Sequence, residues 1–467
     1  DELAQRATAA LSNIAGHKHG MYIRQLLSAG AVETMIKLSG SKDPEVRRLS
    51  AHTICHLVSC AEGPRKQMIE AGAVNALVLT GLIRSSEEDI ITRKACCCAM
   101  YTLCSTGNID KLGDWRVVWS ATCMMNLGLD FCIMALTILA NLSAYPNGRH
   151  LISNKQTVEE MVLFATSRSK IKIPVEVMKI IALVFHNTLC GFGRPTERTK
   201  KVDNFKSFDD FDVELEIERE HEIGDATQGN ADEEATNGKK ETGSIVDLSN
   251  LNTLFQGKEG KEHRSACRII AKSSGTRALT SLARLPFPKT REQCVAALAI
   301  ICTTDDTHEQ FLNDGGFKIL NEVSHLDKLD VGTRVCWQIR QYCLTCAVYA
   351  ALKPKSRFRA VRDGALEMIV PIVESSRSDE TDELCCRCVE LFAQDVSARA
   401  LMIDSGVTQA MDNLTKDADL PHKVFINRVK RFAKTLLYVC SVDLEERDNL
   451  VDYGVIELMS RFAQIPS

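Results

Sequence analysis

Apolar positions along this chain recur at helical spacing, and the pattern comes back at a fixed interval. The stretch Val32-Glu33-Thr34-Met35-Ile36-Lys37-Leu38 predicts a helix with one apolar face. A polar turn follows it, Ser41-Lys42-Asp43-Pro44-Glu45-Val46. Asp43 suits the cap of the next helix, and Pro44 suits its first turn, where a missing N–H leaves nothing unbonded. That helix is expected to run to Thr53-Ile54-Cys55-His56-Leu57-Val58.

The whole set repeats. Ile23-Arg24-Gln25-Leu26-Leu27-Ser28-Ala29-Gly30-Ala31-Val32 matches Arg65-Lys66-Gln67-Met68-Ile69-Glu70-Ala71-Gly72-Ala73-Val74, and Gly30 and Gly72 stand 42 residues apart. Weaker copies fall at Leu112-Gly113-Asp114 and, without glycine, at Gln156-Thr157-Val158. Further corners are expected at Gly275, Gly316, Gly364, Gly406 and Gly454. Each unit then holds a short helix, a glycine corner and two longer helices. Glycine suits the corner because it takes dihedrals that a Cβ penalises. No such unit can bury its apolar faces alone, so the units must stack. The predicted fold is all-α: a right-handed α-α superhelix of the armadillo/HEAT type, with about nine repeats of about 42 residues, the outermost incomplete.

The pattern stops between residues 191 and 262, a polar and charged stretch containing Asp232-Glu233-Glu234 and Asn237-Gly238-Lys239-Lys240. Such composition cannot offset its ordering entropy, which predicts a disordered acidic insertion. Val177–Cys190 before it reads as a third helix, and Ser265-Ala266-Cys267-Arg268-Ile269-Ile270 after it as a first helix. The surplus length matches one expanded loop between two repeats. The expected organisation is repeats over 1–190, the insertion over 191–262, and repeats of the same solenoid over 263–467. Within the insertion, Phe211, Val213, Leu215 and Ile217 alternate with acids, a feature of short interaction motifs.

Composition narrows the function classes. The chain has 467 residues, 45% of them hydrophobic, with a net charge of -4. A basic footprint for nucleic acid is absent from that balance. The most apolar window, Phe131 to Leu142, is too short to span a membrane. The opening Asp1-Glu2-Leu3-Ala4-Gln5 reads as helix interior, so the chain is expected to be a fragment or a processed form. The 19 cysteines include the adjacent runs Cys96-Cys97-Cys98 and Cys385-Cys386. Neighbours on a helix point apart, so these read as buried thiols in a reducing compartment, cytoplasmic, nuclear or ciliary. Cys343-Leu344-Thr345-Cys346 has redox spacing but falls inside a predicted helix, and no four-ligand zinc pattern accompanies it. No paired-histidine zinc motif and no phosphate-binding glycine loop occurs. Catalytic residues, cofactors, metals and small-molecule substrates are therefore not expected.

Ala10-Leu11-Ser12-Asn13-Ile14-Ala15, Leu139-Ala140-Asn141-Leu142-Ser143 and the corner Glu70-Ala71-Gly72-Ala73-Val74 are similar to the armadillo repeat family. The resemblance covers nearly the whole chain outside the insertion. It implies a protein-binding scaffold or adaptor that takes an extended peptide or a helix along a groove lined by third helices, within a larger assembly, cytoskeletal or ciliary. Other members implied by the same resemblance are substrate-recognition arms of ubiquitin ligases and myosin-type chaperones. Aligning third-helix endings puts Asn13, His56, Thr102, Asn141 and Asn187 at equivalent groove positions. An asparagine there both donates and accepts, which suits gripping a partner's main chain. The family's import receptors pair that asparagine with a tryptophan four residues earlier. Here Ala9, Thr137 and Leu183 stand in those places, which counts against a trough for basic peptides.

Overall fold

The structure is a computed structural model that describes residues 2–16, 22–60, 63–80, 90–104, 115–166, 173–191, 257–326, 333–376, 379–415, 422–441 and 455–463. Among these there is no strand: the fold is all-α and repetitive. The expected corners at Gly113 and Gly454, and most of the stretch 191–262, lie outside the described residues. The chain divides into two compact units, one within residues 1–112 and one formed by 113–195 with 248–467.

The first unit holds α1 (Glu2–Ala15), α2 (Ile23–Ser28), α3 (Ala31–Leu38), α4 (Pro44–Cys60), α5 (Gly63–Glu70), α6 (Ala73–Val78) and α7 (Ile90–Cys104). The long third helices α1, α4 and α7 pack in succession, and α3 packs on α6. Local chemistry sets the boundaries. Asp43 Oδ1 accepts the Glu45 N–H at 2.9 Å and so caps α4, which opens on Pro44.

The second unit begins with α8 (Trp115–Met124) and α9 (Leu129–Ser143), followed by α10 (Pro146–Ile152), α11 (Lys155–Thr166) and α12 (Val175–Cys190). After the interruption come α13 (Gly257–Lys272), α14 (Gly275–Ala283) and α15 (Pro288–Thr303), then α16 (Asp305–Asn313), α17 (Gly316–Ser324) and α18 (Thr333–Leu352). The series closes with α19 (Pro354–Arg362), α20 (Ile369–Ser375), α21 (Asp379–Ala393), α22 (Val396–Asp404), α23 (Val407–Leu414), α24 (His422–Val439) and α25 (Val455–Ala463). Here the third helices α9, α12, α15, α18, α21 and α24 pack each on the next. On the other side of the interruption, α13 and α15 both pack on α12, and α14 packs on α11. Phe185, Phe311, Phe317, Phe392 and Phe432 are fully buried between the layers.

Two boundaries differ from expectation. α13 starts at Gly257, so residues 257–262 are helical although composition set them with the insertion. Its apolar stripe begins only at Ala266, but Lys258, Glu259, Lys261 and Glu262 are good helix formers and continue the helix. The left-handed corner expected at Gly275 falls on Ser274, φ 63°, and the one expected at Gly316 falls on Gly315.

One device recurs between repeats. The last carbonyls of a helix lack partners within it and favour a cation nearby. Arg65 Nε donates to the Val58 carbonyl at 2.9 Å. In the second unit Arg149 Nε donates to Ser143 at 2.8 Å, Arg357 Nε to Ala351 at 2.7 Å and Arg399 Nε to Ala393 at 2.9 Å. Histidine takes the place twice: His263 Nε2 meets the Leu189 carbonyl at 2.8 Å, and His308 Nδ1 meets Cys302 at 2.7 Å. The far side of several of these groups reaches the following repeat. Arg149 donates to the Gly191 carbonyl, His308 Nε2 pairs with Ser356 Oγ at 2.8 Å, and Arg399 donates to Ser441 Oγ at 2.6 Å. An arginine or histidine on each of these six first helices thus fixes where one third helix ends.

Candidate third-helix face

That bond gives an internal ruler. His56, Asn141 and Asn187 each lie two residues before the capped carbonyl of their third helix, at Val58, Ser143 and Leu189. The same rule identifies Ile300, Tyr349 and Leu391 on α15, α18 and α21. All six side chains are partly exposed, on helices whose other faces are mostly buried. Alignment on asparagine missed the last three because the residue type changes while the place does not. An arginine or histidine six residues after the helix ending is the signal that would have found them.

The five residues singled out from the sequence fall into two sets. Asn13, exposed on α1, His56 on α4 and Thr102 on α7 stand on successive third helices of the first unit. Asn141 and Asn187 stand on the adjacent α9 and α12 of the second. Thr102 Oγ1 donates to the Cys98 carbonyl of its own helix at 2.8 Å. Asn187 Nδ2 donates to Ser143 Oγ at 3.0 Å, tying α12 to α9.

Further along the second unit the face turns aromatic. Burial, with Cys190 and Glu292 close by, pushes the Tyr342 phenol up to about 12, so it stays a donor. Tyr349 donates to Asp305 Oδ1 at 2.7 Å, and Lys353 Nζ lies 4.5 Å from the Tyr349 ring centroid. His186 is held below the ordinary histidine value, first by burial and further by Lys289. It is therefore neutral near pH 7.

Charge is sorted by depth. Lys289 pairs with Glu292 at 2.8 Å, the lysine side chain 59% exposed and the glutamate 12%. Lys434 pairs with Glu390 at 2.5 Å, 49% against 9%. Arg431 joins the second pair, bonding both Glu383 and Glu390. Glu292 and Glu390 lie beneath their cations, whereas Glu383 and Arg431 are about equally exposed.

Cys343 and Cys346, the spaced pair, are buried on α18, and burial pushes both thiols well up. Among the described residues no group of three histidines, cysteines or carboxylates could hold a metal ion. No described helix is long and apolar enough to cross a membrane.

No protein-family model matches the chain, and no curated protein matches it. Among solved structures, it is similar to the crystal structure of an engineered protein, with a TM-score of 0.49 at 18% identity over 99% of this chain and 91% of that one. A second engineered protein has a TM-score of 0.39 at 14% identity, covering 69% and 96%. A designed armadillo repeat protein has a TM-score of 0.37 at 16% identity, covering 63% and 92%.

Proposed function

We propose that this chain is a protein-binding scaffold of the armadillo type, which holds an extended peptide or a helix along its third helices within a larger assembly. The observation that carries the reading is the register. Within each unit, side chains at one structural position, His56 in the first and Asn141, Asn187, Ile300, Tyr349 and Leu391 in the second, surface on helices whose other faces are mostly buried. A series of equivalent, partly exposed positions on stacked repeats suits a linear partner, one repeat meeting each short segment of it. In the first unit Asn13 on α1 and Thr102 on α7 accompany His56. We read residues 192–256 as an insert between repeats, a reading supported by the packing of α13 and α15 on α12. The role is binding rather than catalysis, supported by thiols pushed up and histidines held down by burial. Free thiols throughout the described residues support a reducing compartment such as the cytoplasm.

The test is affinity capture with the chain as bait, beside a variant carrying Asn141→Ala, Asn187→Ala and Tyr349→Ala. Partners lost from the variant, but kept by the first-helix substitution Lys355→Gln, are the expected result. Partners that survive the triple substitution would place binding on another surface.

A further inference from the structure

We infer that the face formed by α15, α18, α21 and α24 takes an acidic extended segment of a partner protein. The inference rests on the scaffold reading above and adds the chemistry of the partner. The chain as a whole carries a net charge of -4, yet this face is charged the other way. Among the described side chains of these four helices, Lys289, Arg334, Arg387, Lys430 and Lys434 are exposed, and Asp379 is the exposed acid. Asp379 is itself bonded to Arg428 at 2.8 Å. Neither α18 nor α24 contains an acidic residue. Of the other described acids, Glu292 and Glu390 sit under Lys289 and Lys434, so solvent meets those ammonium groups first, while Asp382 is bonded to Arg428 and Glu383 to Arg431.

Pairing divides the cations into two kinds. Lys289 and Lys434 are anchored by the glutamates below them. Arg334, Arg387 and Lys430 are exposed and stand in no ion pair among the described residues. Their charge is available to a ligand without breaking a bond. The spacing also interleaves charge with apolar surface. Arg387 lies one turn before Leu391, and Lys434 one turn before Tyr438, on the same side of their helices. An extended peptide alternates its side chains between two directions. Carboxylates can then meet the cations while neighbouring apolar residues meet Leu391, Tyr349 and Tyr438. A uniform polyanion such as nucleic acid fits less well: glutamates interleave with the cations, and the chain's net charge opposes a long polyanion.

The experiment is selection of random twelve-residue peptides displayed on phage against the immobilised full chain. The best synthetic binder is then measured by fluorescence anisotropy. Enrichment of peptides in which Asp or Glu alternates with apolar residues is expected. Affinity should fall at least tenfold in a variant with Arg334→Gln, Arg387→Gln and Lys430→Gln, stay unchanged in Lys355→Gln, and weaken with salt. The triple variant removes no ion pair between described residues, and an unchanged melting curve checks that it folds. Enriched peptides that are neutral or basic, or acidic ones indifferent to the triple variant, would overturn the inference and leave the scaffold reading standing. Single-stranded DNA of equal charge binding as tightly, and weakened by the same substitutions, would also overturn it in favour of a polyanion site. Enrichment of no peptide at all would count against the scaffold reading itself.

Discussion

His263 Nε2 lies 2.8 Å from the carbonyl oxygen of Leu189, although the two residues are 74 positions apart in the chain. The equivalent bond from Arg149 to Ser143 spans 6 positions. The contact that elsewhere closes a tight turn here seats α13 on the end of α12, whatever lies between them. Replacing residues 192–256 with a short Gly/Ser linker is therefore expected to leave helicity and the melting midpoint nearly unchanged. Halving a loop changes its closure term by only about 0.6 kcal/mol. Circular dichroism and calorimetry would show this. A large loss of helicity, or a new early transition, would assign the segment to the fold.

The same histidine makes stability sensitive to acid. Burial lowers the His263 pKa to about 4, with Arg149 pushing the same way against the Leu189 bond. An unfolded histidine titrates near 6.5, so between these values the unfolded chain binds a proton that the folded chain refuses. The contribution is complete above about pH 6.5 and is lost as pH falls towards about 4. The limiting slope is about 1.4 kcal/mol per pH unit for each such group. His308 and His186 are lowered by burial as well and add to it. Urea midpoints measured from pH 7 to 5 should fall, and fall less steeply in His263→Gln, whose amide can still donate to Leu189. Identical slopes in the two proteins would mean that His263 does not titrate on unfolding.

Arg149 and Arg399 occupy the same place in different repeats, and their exposure separates them. Arg149 is 3% exposed and donates to three carbonyls, at Ser143, Ala144 and Gly191. Arg399 is half-buried and donates to Ala393 and to Ser441 Oγ. Arg149→Met leaves buried acceptors without donors and is expected to cost about 3 kcal/mol, against about 1 kcal/mol for Arg399→Met, where water replaces the lost bonds. Equal losses in chemical denaturation would show that the capping bond, not its burial, sets the value.

Which features were readable follows from how local their causes are. The corners at Gly30, Gly72, Gly364 and Gly406 were, because left-handed backbone selects glycine. The start of α4 at Asp43-Pro44 was, because the cap and its acceptor are two residues apart. Ser274 was not: it holds left-handed backbone with a side chain, and the adjacent Gly275 drew the assignment. Ile300, Tyr349 and Leu391 escaped because their register is set by a group on the following helix, arginine in some repeats and histidine in others. The cationic face escaped for a related reason. A net charge sums Glu390 and Lys434 to zero, whereas only their depths reveal which one solvent meets.

Two glycines predict different penalties for the same substitution. Gly406 has φ +73° and nothing within 4 Å of an added Cβ, so Gly406→Ala meets only the left-handed penalty, about 1–2 kcal/mol. A Cβ on Gly148 would lie 2.0 Å from the Leu142 carbonyl oxygen, a backbone atom that cannot rotate away. Gly148→Ala must push α10 off the end of α9. It should destabilise more than Gly406→Ala and weaken the Arg149 caps as well. Midpoints in urea rank the two, and a Gly148→Ala protein as stable as Gly406→Ala would mean that the α9–α10 corner is looser than its geometry.

The cysteines give the most direct measure of how closed the core is. The cysteines whose side chains are described form no disulfide, and Cys123, Cys190 and Cys440 are the partly exposed ones among them. Burial pushes Cys98 up to about 11 and Cys104, Cys132, Cys267 and Cys386 up to about 12. A thiol with a pKa near 11 is about one part in a thousand thiolate at pH 8, and the thiolate is the reactive form. Burial denies the reagent access as well. Native protein treated with a thiol-disulfide reagent at pH 8 should label most quickly at Cys440, and more slowly at Cys123 and Cys190, whose thiols are raised by burial. The remaining described thiols should react only as urea unfolds the helices, with labelling and circular dichroism falling on one curve. Mass spectrometry of the labelled peptides identifies each site. Fast native labelling of Cys343 or Cys346 would show that α18 opens locally and would restore the redox reading that their spacing first raised.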